Sequence, residues 1–333
     1  MDHIQIVKDI KNKVYHPVYF LTGDEPYYID LISDYIEKNV LDETEKDFNQ
    51  TILYGKESDI TTIISEAKRY PMMANNNVVI IKEAQHLGAQ LDKLESYLEN
   101  PTPSTLLVFC YKYKKVDGRK AIGKLLKKKA VYFESKKLYD NQVSDWITGY
   151  LKKKRYTITP PAAMLIADSL GTDLGKIVNE LEKLTINVLE GNEITPETVE
   201  KNIGISKDFN NFELNKSLGA KNILKANTIV FHFSKNERDH PLVVTIGLMY
   251  SFFSNILKVH YAKDKTKNSL ASILRISPFF VGEYETAARN YPIRKAVKII
   301  EYLRDYDLKS KGVNNASASN SELLKELIFK ILH

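Results

Sequence analysis

The sequence predicts an α/β domain with a mainly parallel sheet, followed by two all-helical domains. Three observations carry that prediction. Up to about residue 138, short β-branched and aromatic runs alternate with helical patterns. Beyond Asp140 the strand signal disappears and helical periodicity alone continues. Near the N-terminus, VYHPVYFLTGDEPYYID (residues 14–30) reads as strand, glycine turn and helix. At 333 residues the chain exceeds one ordinary domain, so a division into two or three is expected.

Strand candidates occupy residues 15–22, 50–54, 77–81, 105–109 and 130–133, with helical patterns at 27–40, 58–70, 87–99 and 119–128 between them. Ser58 and Asp59 are placed to cap the second helix, where a side-chain oxygen accepts from free N–H groups. Such alternation builds βαβ units, which cover a parallel sheet on both faces. After Asp140 the helical patterns run 141–154, 160–170, 174–189 and 196–203. They open at Asp140, at Thr159 before Pro160, at Asp173, and at Thr195 before Pro196. A boundary near 204–208 leads into a further helical block at 212–217, 221–233, 241–263, 269–274, 278–289, 292–309 and 321–332. The polar stretch SKGVNNASASN (310–320) interrupts it as a flexible loop. The expected domains are 1–138, 139–207 and 208–333.

With 43% hydrophobic and 27% charged residues, the composition is that of a soluble globular protein, and a net charge of +6 alone says little about partners. A single cysteine, Cys110, excludes an internal disulfide and fits a reducing cytosol. The opening segment MDHIQIVKDIKNK is charged and amphipathic and lacks the apolar core of a signal peptide. The longest apolar run, 242–257, falls short of the ~20 residues of a membrane span and reads as a buried helix. The seven histidines are scattered, no His-x-x-x-His pair occurs, and no G-x-S-x-G elbow is present. Acidic pairs such as Asp24/Glu25 and Glu180/Glu182 read as solvated faces. Nothing here looks catalytic.

A phosphate-binding loop needs G-x-x-x-x-G-K-[ST], because backbone N–H groups cradle the phosphates while the lysine reaches the terminal ones. After Gly23 the required positions hold Tyr28, Ile29 and Asp30, and Asp24, Glu25 and Asp30 would repel a triphosphate. The strand at 78–81 ends in Lys82-Glu83, which puts a cation where an ATPase of this layout holds Mg²⁺ with an aspartate. Both losses count against an active NTPase or helicase-like motor. They mark a dead site, or a sheet that was never of the NTPase type.

Basic density peaks over residues 112–137, where eleven Lys and Arg, among them Lys112, Lys114, Lys115, Arg119 and Lys120, face only Asp117 and Glu134. With Tyr111, Tyr113 and Tyr132 interleaved, one reading is contact with a phosphate backbone, even a stand-alone nucleic-acid-binding protein. The other is a lysine-rich helix face turned to water. Between the helix ending near Tyr70 and the next strand, Pro71 stops the helix and projects Met72 and Met73. Paired methionines on a loop can fill an apolar pocket on another protein. The plainer reading is that they cover the helix–strand corner.

Taken together, these segments resemble the delta-subunit family of the bacterial DNA polymerase III clamp loader. The resemblance rests on PVYFLTGDEPYYID, PMMANNNVVIIKEA, STLLVFCYKYKKVDGRKAIGKLLKKKAVYFE and GTDLGKIVNELEKLT, with FELNKSLGAKNILKA and the helices after it, in the same order along nearly the whole chain. It implies an AAA+-like α/β domain without a working nucleotide site (1–138), a small all-α lid (139–207) and an all-α collar (208–333). It further implies no cofactor, no metal and no intrinsic ATPase, in a subunit of a DNA-directed DNA polymerase (nucleotidyltransferase) holoenzyme in the cytoplasm. The implied partners are the sliding clamp (beta subunit), the gamma/tau and delta-prime subunits through the collar, and primed DNA within the assembly, with no membrane. The family's clamp contact is an apolar pair before a strand, usually leucine and phenylalanine, and the matching positions are Met72 and Met73, next to Pro71. The residues near 127–130 lack the Ser-Arg-Cys signature of the delta-prime and gamma partners, which favours delta.

Overall fold

The computed structural model describes residues 2–315 and 317–333. The chain forms two compact units, Met1–Leu138 with Asp173–Gly175, and Tyr139–Thr172 with Lys176–His333. Helices on both sides of 204–208 belong to the second unit.

The first unit runs α1 (His3–Lys11), β1 (Val18–Gly23), α2 (Pro26–Asn39), α3 (Glu43–Asn49), β2 (Gln50–Tyr54), α4 (Ile60–Ala67) and β3 (Asn77–Lys82). A run of 3₁₀ turns (Ala84–Leu94) precedes α5 (Glu95–Glu99), and β4 (Thr105–Lys112), α6 (Ala121–Lys129) and β5 (Val131–Ser135) follow. The five strands are all parallel, in the order β2-β3-β4-β1-β5. The strands read as continuous apolar runs because both faces are covered. Val18, Phe20, Leu107 and Phe109 pack with Ile60, Ile63 and Leu126. Tyr19, Leu21, Val108 and Cys110 pack with Ile29, Ile32 and Ile36.

Several elements differ from expectation, each for a local reason. Helix α1 forms because the Asp2 carboxylate caps it, accepting from Gln5 N at 2.7 Å, while Ile6 and Ile10 are buried. Helix α3 is likewise additional, opened by a capping box in which Asp42 and Glu45 satisfy each other's backbone N–H groups. The helix expected at 87–99 is mostly 3₁₀, and a β-carbon at Gly88 would lie 2.9 Å from the Tyr111 hydroxyl. Strand β4 outruns its predicted end because Cys110, Tyr111 and Lys112 pair with Leu21, Thr22 and Gly23.

From Tyr139 onward the chain forms α7 (Asp140–Lys153), β6 (Thr157–Ile158), α8 (Pro160–Leu170), α9 (Leu174–Asn187), β7 (Glu193–Ile194) and α10 (Pro196–Ile203). Then come α11 (Asn211–Gly219), α12 (Ile223–Lys235), α13 (Leu242–Tyr261), α14 (Lys267–Leu274), α15 (Val281–Asn290), α16 (Ile293–Ser310) and α17 (Asn320–Leu332). Thr159 and Thr195 cap α8 and α10 as expected. Within this otherwise helical region β6 and β7 pair in parallel, Ile158 opposite Ile194, too briefly for any period-two pattern to show. Helix α13, at 20 residues, is longer than the run at 242–257 and meets the length and composition of a membrane span. It nevertheless buries Ile246, Met249, Phe253 and Ile256 in the core of this unit, so packing marks it as a core helix.

Candidate functional site

In a parallel sheet of this kind, ligands sit outside the carboxyl ends of the strands. Strand β1 ends there at Gly23, whose φ of +128° and close approach leave no room for a side chain: a β-carbon would fall 2.0 Å from the Ser135 carbonyl oxygen. The turn is stitched across the sheet edge. Asp24 N donates to Ser135 O at 3.2 Å, Tyr113 N donates to Gly23 O at 2.9 Å, and the Thr22 hydroxyl donates to Lys114 O at 2.8 Å. A helix N-terminus at this point would receive a phosphate. Here the buried Glu25 carboxylate takes that place, accepting from Tyr27 N at 3.0 Å as the N-cap of α2. Burial raises the Glu25 pKa, and its hydrogen bond to Tyr27 partly offsets the rise.

The other acidic groups at the turn are answered by lysines from the basic segment. Lys112 pairs with Asp30 at 2.6 Å, and Lys115 pairs with Glu134 at 3.0 Å and Asp24 at 3.4 Å. Lys82, at the end of β3, pairs with Glu37 of α2 at 2.9 Å. Burial works against its ammonium, yet the hydrogen bond and charge of Glu37 hold its pKa above the ordinary lysine value. A carboxylate cap, two aspartates and a paired lysine do not fit a magnesium-bound triphosphate. Among the described residues no group of three or more His, Cys, Asp and Glu is arranged to hold a metal.

The methionine loop is built with equal care for its backbone. Helix α4 is capped by Asp59, which accepts from Thr61 N and Thr62 N, and it ends at Ala67, three residues sooner than expected. Its last carbonyls are taken by side chains: Asn77 Nδ2 donates to Glu66 O at 3.1 Å and the Tyr97 hydroxyl to Ala67 O at 3.4 Å. Tyr70, held out of the helical region by the proline after it, is exposed, and Pro71 is half-buried. Met72 is 56% exposed and Met73 fully so, while Ala74 packs against the core. The methionines do not cover the helix–strand corner.

Sequence reasoning missed Asn49. Its buried carboxamide reaches across from the end of α3 to hold Met72 by its backbone, and the only signal was the D-x-x-E pattern at Asp42 that opens α3. The candidate DNA-contacting residues are not all alike. Lys112 and Lys115 are engaged at the turn and Arg119 with Asp117 at 2.9 Å, whereas Lys114 and Lys120 are exposed without an ion pair among the described residues. The basic run is thus partly internal electrostatics. In the second unit a cavity of ≈ 460 Å³ is lined by Lys216, Lys258 and Arg275 beside Asp140, Asp168 and Glu283. These come from elements far apart in sequence, and no motif announced them. Burial pushes the Asp168 carboxyl up to about 7, with the charge of Asp140 adding to the rise.

The fold and this site define a class: an α/β scaffold of nucleotide-binding type whose phosphate and magnesium positions are taken by its own side chains, followed by a helical region. The comparisons with known proteins agree with that class. Residues 19–136 match the family described as DNA polymerase III, delta subunit. DNA polymerase III subunit delta of Bacillus subtilis (strain 168) is 29% identical over 317 residues, which is 91% of this chain and 90% of that protein. A solved structure, the Bacillus subtilis DNA clamp loader delta protein, aligns over 99% of both chains at 25% identity with a TM-score of 0.53. The chain is similar to the DNA polymerase III delta subunits. The stand-alone nucleic-acid-binding reading draws no support from these matches.

Proposed function

We propose that this chain works as the delta subunit of a clamp loader, gripping the ring-shaped sliding clamp and holding one ring interface open for placement on primed DNA. The observation that carries the proposal is an exposed methionine pair, anchored by its backbone, on a scaffold whose nucleotide positions are internally neutralised. Met72 and Met73 enter an apolar pocket on the clamp with Pro71 beside them, and α4 braces against the ring. No chemistry is required, since binding shifts the ring only through a preference for its open form.

Magnitudes show what the pair can and cannot do alone. Burying two methionine side chains contributes roughly 3–6 kcal/mol before rotamer losses of up to ~2 kcal/mol each. Moving a ring from 1:99 to 99:1 in favour of opening takes about 5.5 kcal/mol of differential affinity. The pair therefore anchors the clamp, and further contacts of this chain with the ring, those of α4 among them, complete the opening. In the loader assembly the helical region supplies a lid (139–207) and a collar (208–333) that meets the gamma/tau and delta-prime subunits. The exposed Lys114 and Lys120 meet primed DNA only there, and the protein operates in the cytoplasm.

The test is the variant M72A/M73A, titrated against the clamp. The proposal expects Kd to rise by ~10-fold or more, with the thermal unfolding midpoint unchanged because neither side chain is packed. Unchanged affinity would refute the assignment of the contact.

A further inference from the structure

We infer that Asn49 is the positioning residue of the docking loop: its carboxamide fixes the backbone at Met72 so that both thioethers are presented before a partner arrives. The inference rests on reading Met72 and Met73 as the docking pair. Asn49 is buried at the end of α3, and each of its polar atoms is used. Its Oδ1 accepts from Met72 N at 2.6 Å, while Nδ2 donates to Met72 O at 2.9 Å and to Glu45 O at 3.0 Å. One side chain thereby satisfies both backbone groups of a residue 23 positions away.

The next residue shows what that grip maintains. Met73 sits at φ +54°, in the left-handed region that residues with a β-carbon seldom occupy unless their surroundings impose it. Its own side chain is fully exposed and imposes nothing. The constraint comes from the flanks, with Asn49 on Met72 and Ala74 against the core.

Pre-setting matters more for methionine than for a stiffer residue. Rotamer losses offset much of what burying the thioethers contributes, so a loop that also had to order its backbone on binding would bind weakly. Asparagine is suited to the task because it offers a donor and an acceptor in one plane. Aspartate accepts from Met72 N but cannot donate to Met72 O, and alanine does neither.

The experiment compares the full chain with N49A, N49D, M72A/M73A and the triple variant N49A/M72A/M73A. It reads clamp affinity and the hydrogen exchange of the Met72 amide. The inference expects N49A to raise Kd roughly fivefold, N49D, whose carboxylate faces the Met72 and Glu45 carbonyls, to raise it at least as much, and the Met72 amide to exchange faster in N49A. It also expects N49A to add nothing once both methionines are alanine. Weakened binding in M72A/M73A with wild-type affinity in N49A would overturn the role of Asn49 and leave the docking pair standing. An equal loss from N49A with or without the methionines would overturn it too, since the residue would then act on something else. Unchanged binding in M72A/M73A would instead remove the docking reading itself. Should N49A unfold early, hydrogen exchange of the Met72 amide and clamp affinity are compared below its unfolding midpoint, where the folded form can be read.

Discussion

Single residues decide the character of the sheet edge. Gly23 has no room for a β-carbon, and its φ lies where only glycine rests without strain. G23A is expected to lower the unfolding free energy by more than ~3 kcal/mol, read from the denaturant midpoint at constant slope. That the turn needed glycine was legible from Thr22-Gly23 closing an apolar run. That Lys112 would neutralise Asp30 was not, because the partners stand 82 positions apart and only the β1–β4 register brings them together. Of the acidic residues that argued against a triphosphate, Asp24 and Asp30 are thus half of an internal ion-pair set and Glu25 is a helix cap. Asn49 was illegible for a related reason: a lone asparagine beside a strand signals a turn, and its role depends on a loop two elements later.

At the scale of elements, the sequence showed most where burial is two-sided or capping is chemical. The five strands lie where apolar runs stand, and Thr159, Thr195 and Asp59 open the helices they were read to open. The failures have causes of the same kind. Helix α3 was overlooked although Asp42 and Glu45 form a capping box, since its seven residues are mostly polar. The 3₁₀ segment carries Leu87, Leu91 and Leu94 at spacings that an α-helix would share, so periodicity could not separate the two. Helix α8 carries a testable charge. Asp168 is held up to about 7 by burial, against an ordinary 3.8. The unfolded chain ionises it first, so stability falls as pH rises from about 4 toward 7 and levels off above. D168N should therefore be more stable than the parent at pH 8 by ~1–3 kcal/mol, with the difference vanishing below pH 4. Paired melts across that range would show it.

For the molecule as a whole, the architecture of a nucleotide-binding sheet was legible from alternation, and the missing phosphate-loop and magnesium residues from Tyr28, Ile29 and Asp30 and from Lys82. In the proposed function an apolar pair on a loop, held by its backbone through Asn49, takes the place of nucleotide chemistry. A boundary read near 204–208 between two runs of helical pattern says nothing about whether helices on either side pack together. In the proposed function the working act of this protein is binding alone. The most direct measurement is ring opening of a clamp labelled across one interface with a fluorescent pair, mixed with the isolated chain in EDTA without ATP. The account predicts separation of the pair under these conditions, unaltered by adding ATP and Mg²⁺ and lost in M72A/M73A. Separation that appears only with ATP and Mg²⁺, or that persists in M72A/M73A, would contradict it.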